Sequence, residues 1–91
     1  MENKIHTFIA LCRKTFGRYE EHSGGCYKFH LLLKSVFGGI GFYNGDHVIT
    51  LIGGVFYDID GEFLGFDREY HKIGGKHYPH KYMEDKFKEY L

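Results

Sequence analysis

Cys26 follows Ser23-Gly24-Gly25 and opens a long apolar run that ends at Phe37. A thiol in the first turn of a helix faces backbone N–H groups that lack an intrahelical acceptor. The positive end of the helix dipole favours thiolate over thiol, and the thiolate is the nucleophile. The same N–H groups suit the oxyanion of a tetrahedral intermediate. Gly24 and Gly25 let a substrate come close to the backbone. Such a nucleophile needs a base, and the base needs an orienting partner. His47 offers a neutral imidazole. Asp58 and Asp60 offer carboxylates that fix its tautomer and steady the imidazolium. The candidate catalytic set is therefore Cys26, His47, Asp58 and Asp60, and its chemistry is attack on a carbonyl carbon.

These side chains depend on a β-hairpin and a helix for their placement. Two β-rich runs, from Asp46 to Ile52 and from Val55 to Asp60, are separated only by Gly53-Gly54, which fits a type I′ turn. Counting outward from that turn sets Ile49 opposite Asp58 and His47 opposite Asp60. Alternation then puts His47, Ile49, Leu51, Phe56, Asp58 and Asp60 on one face. Ile40 to Tyr43 reads as a short preceding strand turned by Asn44-Gly45. Upstream, Ile5, Phe8, Ile9, Cys12 and Phe16 form one apolar stripe and predict a helix over 3–19, with Asn3 as N-cap and Cys12 as a core thiol. A second, centrally buried helix runs from about Gly25 to Phe37, with Ser23 placed to cap it and Gly38-Gly39 to stop it. Residues 61–78 are broken by glycines and carry Phe63, Leu64 and Phe66 as strand or packed loop. From Pro79 the pattern is helical again, through Tyr82, Met83, Phe87 and Tyr90. The order predicts an α+β fold, with helices packed on one face of a small antiparallel sheet.

The combination Gly-Gly-Cys at a helix start, His-x-Ile-x-Leu, Gly-Gly and Tyr-Asp-Ile-Asp-Gly resembles the core of papain-like and transglutaminase-like thiol enzymes. That resemblance spans about residues 23–61 and implies a Cys–His–Asp site. It maps the family's Cys onto Cys26 and its His onto His47, and it favours Asp58 as the third member. Strand pairing favours Asp60. The implied activity is a thiol hydrolase or acyl transferase of peptidase, isopeptidase or amidase type, acting on a peptide or protein and requiring no cofactor. The sequence departs from the family in its short length and its lack of Trp, and no Gln before Cys26 serves as an oxyanion donor.

Composition bounds the remaining readings. A chain of 91 residues is the size of a single domain, and two domains would each be too small to bury a core. Twelve Lys and Arg balance twelve Asp and Glu, so neither a nucleic-acid surface nor a polybasic membrane patch is expected. The sequence has no apolar run of membrane-spanning length and no secretory-type start, and a cytoplasmic setting is expected. Nine Phe and eight Tyr give a small core unusual apolar area per residue. Seven histidines invite a metal reading at His71, His77 and His80. Pro79 keeps the last two from sharing one helix face, and no Cys lies nearby, so no metal is expected. His30, one turn after Cys26, is either an alternative base or a packed helix residue. The glycine-rich stretches lack the strand, Lys and hydroxyl of a phosphate loop. The rival to catalysis is a binding or inhibitory module acting on a host protein, similar in style to small phage or mobile-element proteins.

Overall fold

The computed structural model describes residues 2–16 and 25–90. In chain order the elements are α1 (Glu2–Phe16), α2 (Cys26–Phe37), β1 (Ile40–Tyr43), β2 (Val48–Ile52), β3 (Val55–Asp58), β4 (Gly61–Glu62), β5 (His71–Lys72) and α3 (His80–Lys86). A 3-10 turn at Lys88–Tyr90 follows α3. The strands make one antiparallel sheet in the order β4-β3-β2-β1-β5, and the fold is α+β.

The apolar stripe of α1 lands where its periodicity points. Ile5, Ile9 and Cys12 are buried against Phe29 and Leu33 of α2 and against Ile52, Tyr57 and Ile59. A second cluster joins Cys26 and Tyr27 of α2 to Tyr43, Val48 and Ile73, and to Met83 and Phe87 at the C-terminal end. The strand residues in the two clusters, Tyr43, Val48, Ile52 and Tyr57, share one sheet face by alternation and register. All three helices therefore cover that face. The other face is covered by side chains of the segment after β4. There Phe66 stacks on Phe56 at 4.3 Å between centroids and meets Phe42 edge-on, and Tyr70 stacks on Phe66. Each large side chain fully buried in the two clusters under the helices stabilises the fold by about 1.5–3 kcal/mol, and the partly exposed rings of the outer face contribute less.

The hairpin of β2 and β3 has the expected two-residue turn. Gly53 and Gly54 both have positive φ, at 57° and 83°, as a type I′ turn requires. The ladder runs from Ile52–Val55 to Thr50–Tyr57.

Several local expectations are corrected. Asn3 lies inside α1 rather than ahead of it. The predicted end of that helix at residue 19 falls outside the described residues, as does Ser23. The residue ahead of α2 is Gly25, and it makes no side-chain capping bond. His47 precedes β2 by one residue. Asp60 does not continue β3 opposite His47. The chain reverses at Ile59-Asp60 and returns as β4, which pairs Asp58 with Gly61. The cause is local: the Asp58 carboxylate accepts a hydrogen bond from the Asp60 N–H at 2.9 Å and closes the turn.

Candidate active site

His47 is held first through its backbone. The Asn44 side chain accepts hydrogen bonds at Oδ1 from the N–H of Asp46 (2.9 Å) and of His47 (2.7 Å). This side-chain turn, with Gly45 at positive φ, brings the chain from β1 back into β2 and sets the start of β2.

The imidazole is held next. His47 Nε2 donates to Asp58 Oδ2 at 3.0 Å, with 23% of the histidine side chain and 11% of the aspartate side chain exposed. The second carboxylate oxygen is the one engaged by the Asp60 N–H. Both Asp58 oxygens thus have assigned hydrogen bonds, and the carboxylate is fixed before it fixes the ring. The proton on Nε2 leaves Nδ1 as the basic nitrogen of the neutral tautomer. Asp58 is therefore the carboxylate joined to His47, and the exposed Asp60 contributes its backbone to the same arrangement. From α1, Arg13 Nη1 donates to the Ile59 carbonyl at 2.8 Å and ties the β3–β4 turn to the helical layer.

Two aromatic residues complete the surroundings. The Phe63 ring lies 5.4 Å from the His47 ring, centroid to centroid. Tyr70 meets Phe63 edge-on at 5.7 Å. Burial pushes the Tyr70 phenol up to about 12, with further contributions from Asp67, Asp58, Asp46 and Cys26. Asp58 and Cys26 thus lie within electrostatic reach of one phenol. Neither Phe63 nor Tyr70 was singled out as a site residue in the sequence, because their contacts to the hairpin follow no local period. Asn44 did carry a signal, the Asn-Gly pair.

Cys26 is the first residue of α2, and its residue is 4% exposed. It shares a cluster with Val48, the residue that follows His47. The first turn of α2 holds no acidic side chain to offset its dipole. Cys12 is different in kind: it is buried in the core between α1 and the sheet, and burial pushes its thiol up.

His30 is occupied elsewhere. Its Nδ1 lies 2.7 Å from Thr50 Oγ1 in the buried layer between α2 and β2. Burial first, then Lys34 and His80, lower its pKa to about 4. The remaining histidines include a stacked pair, His71 and His77, at 3.7 Å between centroids. Among the described residues, no group of three or more His, Cys, Asp or Glu is arranged to hold a metal ion. No helix among those residues is long and apolar enough to cross a membrane.

These features define an α+β protein with a hydrogen-bonded His–Asp pair and a cysteine at the start of its central helix. The family described as phage YunG-like protein matches residues 12–91, and the chain belongs to that family. The match takes in Cys26, His47 and Asp58 and leaves out most of α1. No curated protein and no solved structure matches the chain.

Proposed function

We propose that this phage YunG-like protein is a thiol hydrolase or acyl transferase, with Cys26 as nucleophile, His47 as base and Asp58 as the residue that orients His47. The observation that carries the reading is the 3.0 Å hydrogen bond from His47 Nε2 to an Asp58 carboxylate that the Asp60 N–H already holds. A carboxylate that is itself held and in turn orients an imidazole is the arrangement a catalytic base uses. The resemblance to papain-like and transglutaminase-like cores supports the same assignment.

In the first step Cys26 Sγ bonds to the carbonyl carbon of a peptide, isopeptide or amide, and the thiol proton passes to His47 Nδ1. The carbonyl π electrons move to oxygen, where N–H groups of the first turn of α2 stabilise the charge. Collapse expels the amine, which takes the proton from His47, and leaves a thioester on Cys26. Water or a second amine then attacks the thioester and gives a proton to His47 Nδ1. Collapse breaks the C–S bond, releases the acid or the new amide, and His47 passes that proton to sulfur. Asp58 keeps its charge throughout and holds the ring in one tautomer. General acid–base catalysis of this kind contributes about 10²–10⁴-fold.

A second reading is a non-catalytic module of a phage protein that binds a host protein, and the burial of Cys26 favours it. The pH dependence of alkylation by iodoacetamide separates the two, with wild type, His47→Ala and Cys12→Ser compared. An ordinary thiol titrates near about 8.5, and a catalytic one below about 7.5. Catalysis predicts that Cys26 reacts with a low apparent pKa and that His47→Ala removes this reactivity. A Cys26 that reacts only when the protein unfolds overturns the catalytic reading and leaves the binding module.

A further inference from the structure

We propose that the half-open cavity between α2 and the β1–β5 edge is a binding site for a small oxyanion of phosphate type, held by Lys34, Lys72 and His80. The site is separate from the Cys26–His47–Asp58 arrangement and does not rest on its chemistry.

The cavity has a volume of about 130 Å³ and draws its wall from α2, the start of β1, β5 and the first residue of α3. Its ionisable groups are Lys34, Lys72, His80, the buried His30 and the Tyr27 phenol, and no Asp or Glu lines it. Among the described residues neither Lys34 nor Lys72 is in an ion pair, although Lys81 finds Asp85 one turn along α3. Lys34 and His80 are close enough to His30 for each to disfavour a positive charge on that ring. Two lysines and two imidazoles thus line one concavity without a carboxylate in its wall, and His30, held neutral, adds a polar edge rather than a charge. Two lysines on the wall of one concavity favour an anion there.

The backbone fits the same use. A methyl group at Gly41 would run into His30 Nε2 and Cε1, so glycine here seats the ring against the cavity wall. Gly39, with φ of 113°, lets the chain that borders the cavity pass close to the Leu51 carbonyl of β2, where a methyl group would collide. Two features oppose an anion. The C-terminal end of α2 carries the negative end of its dipole, and Glu84 of α3 acts on the Tyr27 phenol. Lys34, in the last turn of α2, offsets the first.

Size limits the ligand. At roughly 30 Å³ per water the cavity holds about four waters. A tetrahedral oxyanion fits, whereas a nucleoside must project outside. Inorganic phosphate and the phosphate group of a monoester share this chemistry.

The test is an NMR titration of the full-length, isotope-labelled chain with inorganic phosphate at constant ionic strength and pH 7, with chloride replaced as phosphate is added. The expected result is a saturable shift of the Gly39, Gly41, Lys72 and His30 signals. Lys34→Gln combined with Lys72→Gln removes two exposed side chains and is expected to weaken binding by about tenfold or more. Cys26→Ala is expected to leave it unchanged. A parallel titration with phenyl phosphate identifies the source. Comparable affinity assigns the site to phosphate esters, and much weaker affinity assigns it to the free ion. Shifts that fail to saturate, or a double variant that binds as tightly as wild type, overturn the proposal.

Discussion

The buried imidazole of His30 makes stability depend on pH in a calculable way. In the folded chain His30 is 3% exposed, its Nδ1 is engaged with Thr50, and its pKa is lowered from 6.5 to about 4. In the unfolded chain the same ring takes a proton near 6.5. Between these values the unfolded state binds the extra proton, so stability falls as the solution is acidified. A difference of about 2.5 pKa units at about 1.4 kcal/mol each corresponds to about 3 kcal/mol. That stability is present above about pH 6.5, is lost on descending toward pH 4, and changes little further below. It is a large share of the ~5–15 kcal/mol that holds small domains folded. Desolvation leads among the causes, ahead of Lys34 and His80, so added salt moves the effect little. The assay is urea unfolding of wild type and His30→Asn at half-unit steps from pH 4 to 7.5. Asn keeps a polar atom near the place of Nδ1 and does not titrate. Every other carboxylate and histidine contributes alike to both proteins, so the difference between the two curves isolates His30. It should shrink by about 3 kcal/mol from pH 7 to pH 4. A difference that stays flat with pH, or an NMR titration that puts folded His30 near 6.5, refutes the reasoning.

Two further predictions concern the candidate site. Asp58→Ala removes the acceptor of both His47 Nε2 and the Asp60 N–H, and turnover of a cleavable amide or thioester is expected to fall by about 10²–10⁴-fold. Asp58→Asn is expected to lose a comparable amount, because one amide oxygen cannot accept from both Nε2 and the Asp60 N–H and carries no charge to steady the imidazolium, and equal turnover of wild type and Asp58→Ala would refute the role. Asn44→Ala leaves two N–H groups without their acceptor and should cost about 1–3 kcal/mol in urea unfolding. A change under about 0.5 kcal/mol would show that this turn is held by other means.

The hairpin was legible in the sequence because one local fact fixes it. Two residues between the strands call for a primed turn, and Gly53-Gly54 supplies positive φ at both positions without steric cost. The first two helices were legible because their buried positions repeat at helical spacing. The partner of His47 was harder. Simple pairing extends the ladder to Asp60, but the Asp58 side chain closes a turn with the backbone of Asp60, and the strand ends there. Side-chain turns of this kind compete with strand continuation and leave no trace in a hydrophobic pattern. The Asn44 turn shows the same physics at the other end of the site, and there the Asn-Gly pair did announce it. The covering of the outer sheet face by Phe63, Phe66 and Tyr70 was not legible, since these rings find their partners across the fold. Thr50 as the partner of His30 was hidden for the same reason, being twenty residues away.

Catalysis and partner binding make opposite demands on one physical quantity, the access of solvent or substrate to Cys26 Sγ. The base side of the site is the more open, with His47 about a quarter exposed, while Cys26 is nearly enclosed. A binding module requires nothing of an enclosed thiol beyond its volume, and Cys26→Ala would then act as a small core truncation. A thiol enzyme requires that a carbonyl carbon reach sulfur, with the imidazole positioned to take the proton as it does so. The anchoring of His47 weighs toward the enzyme, because its ring is hydrogen-bonded to a carboxylate that the Asp60 N–H holds in turn. Ordering a partly exposed polar side chain costs conformational entropy. A fold under no functional demand gains little by bearing that cost at a histidine that follows a helix-opening cysteine and precedes its own carboxylate partner along the chain.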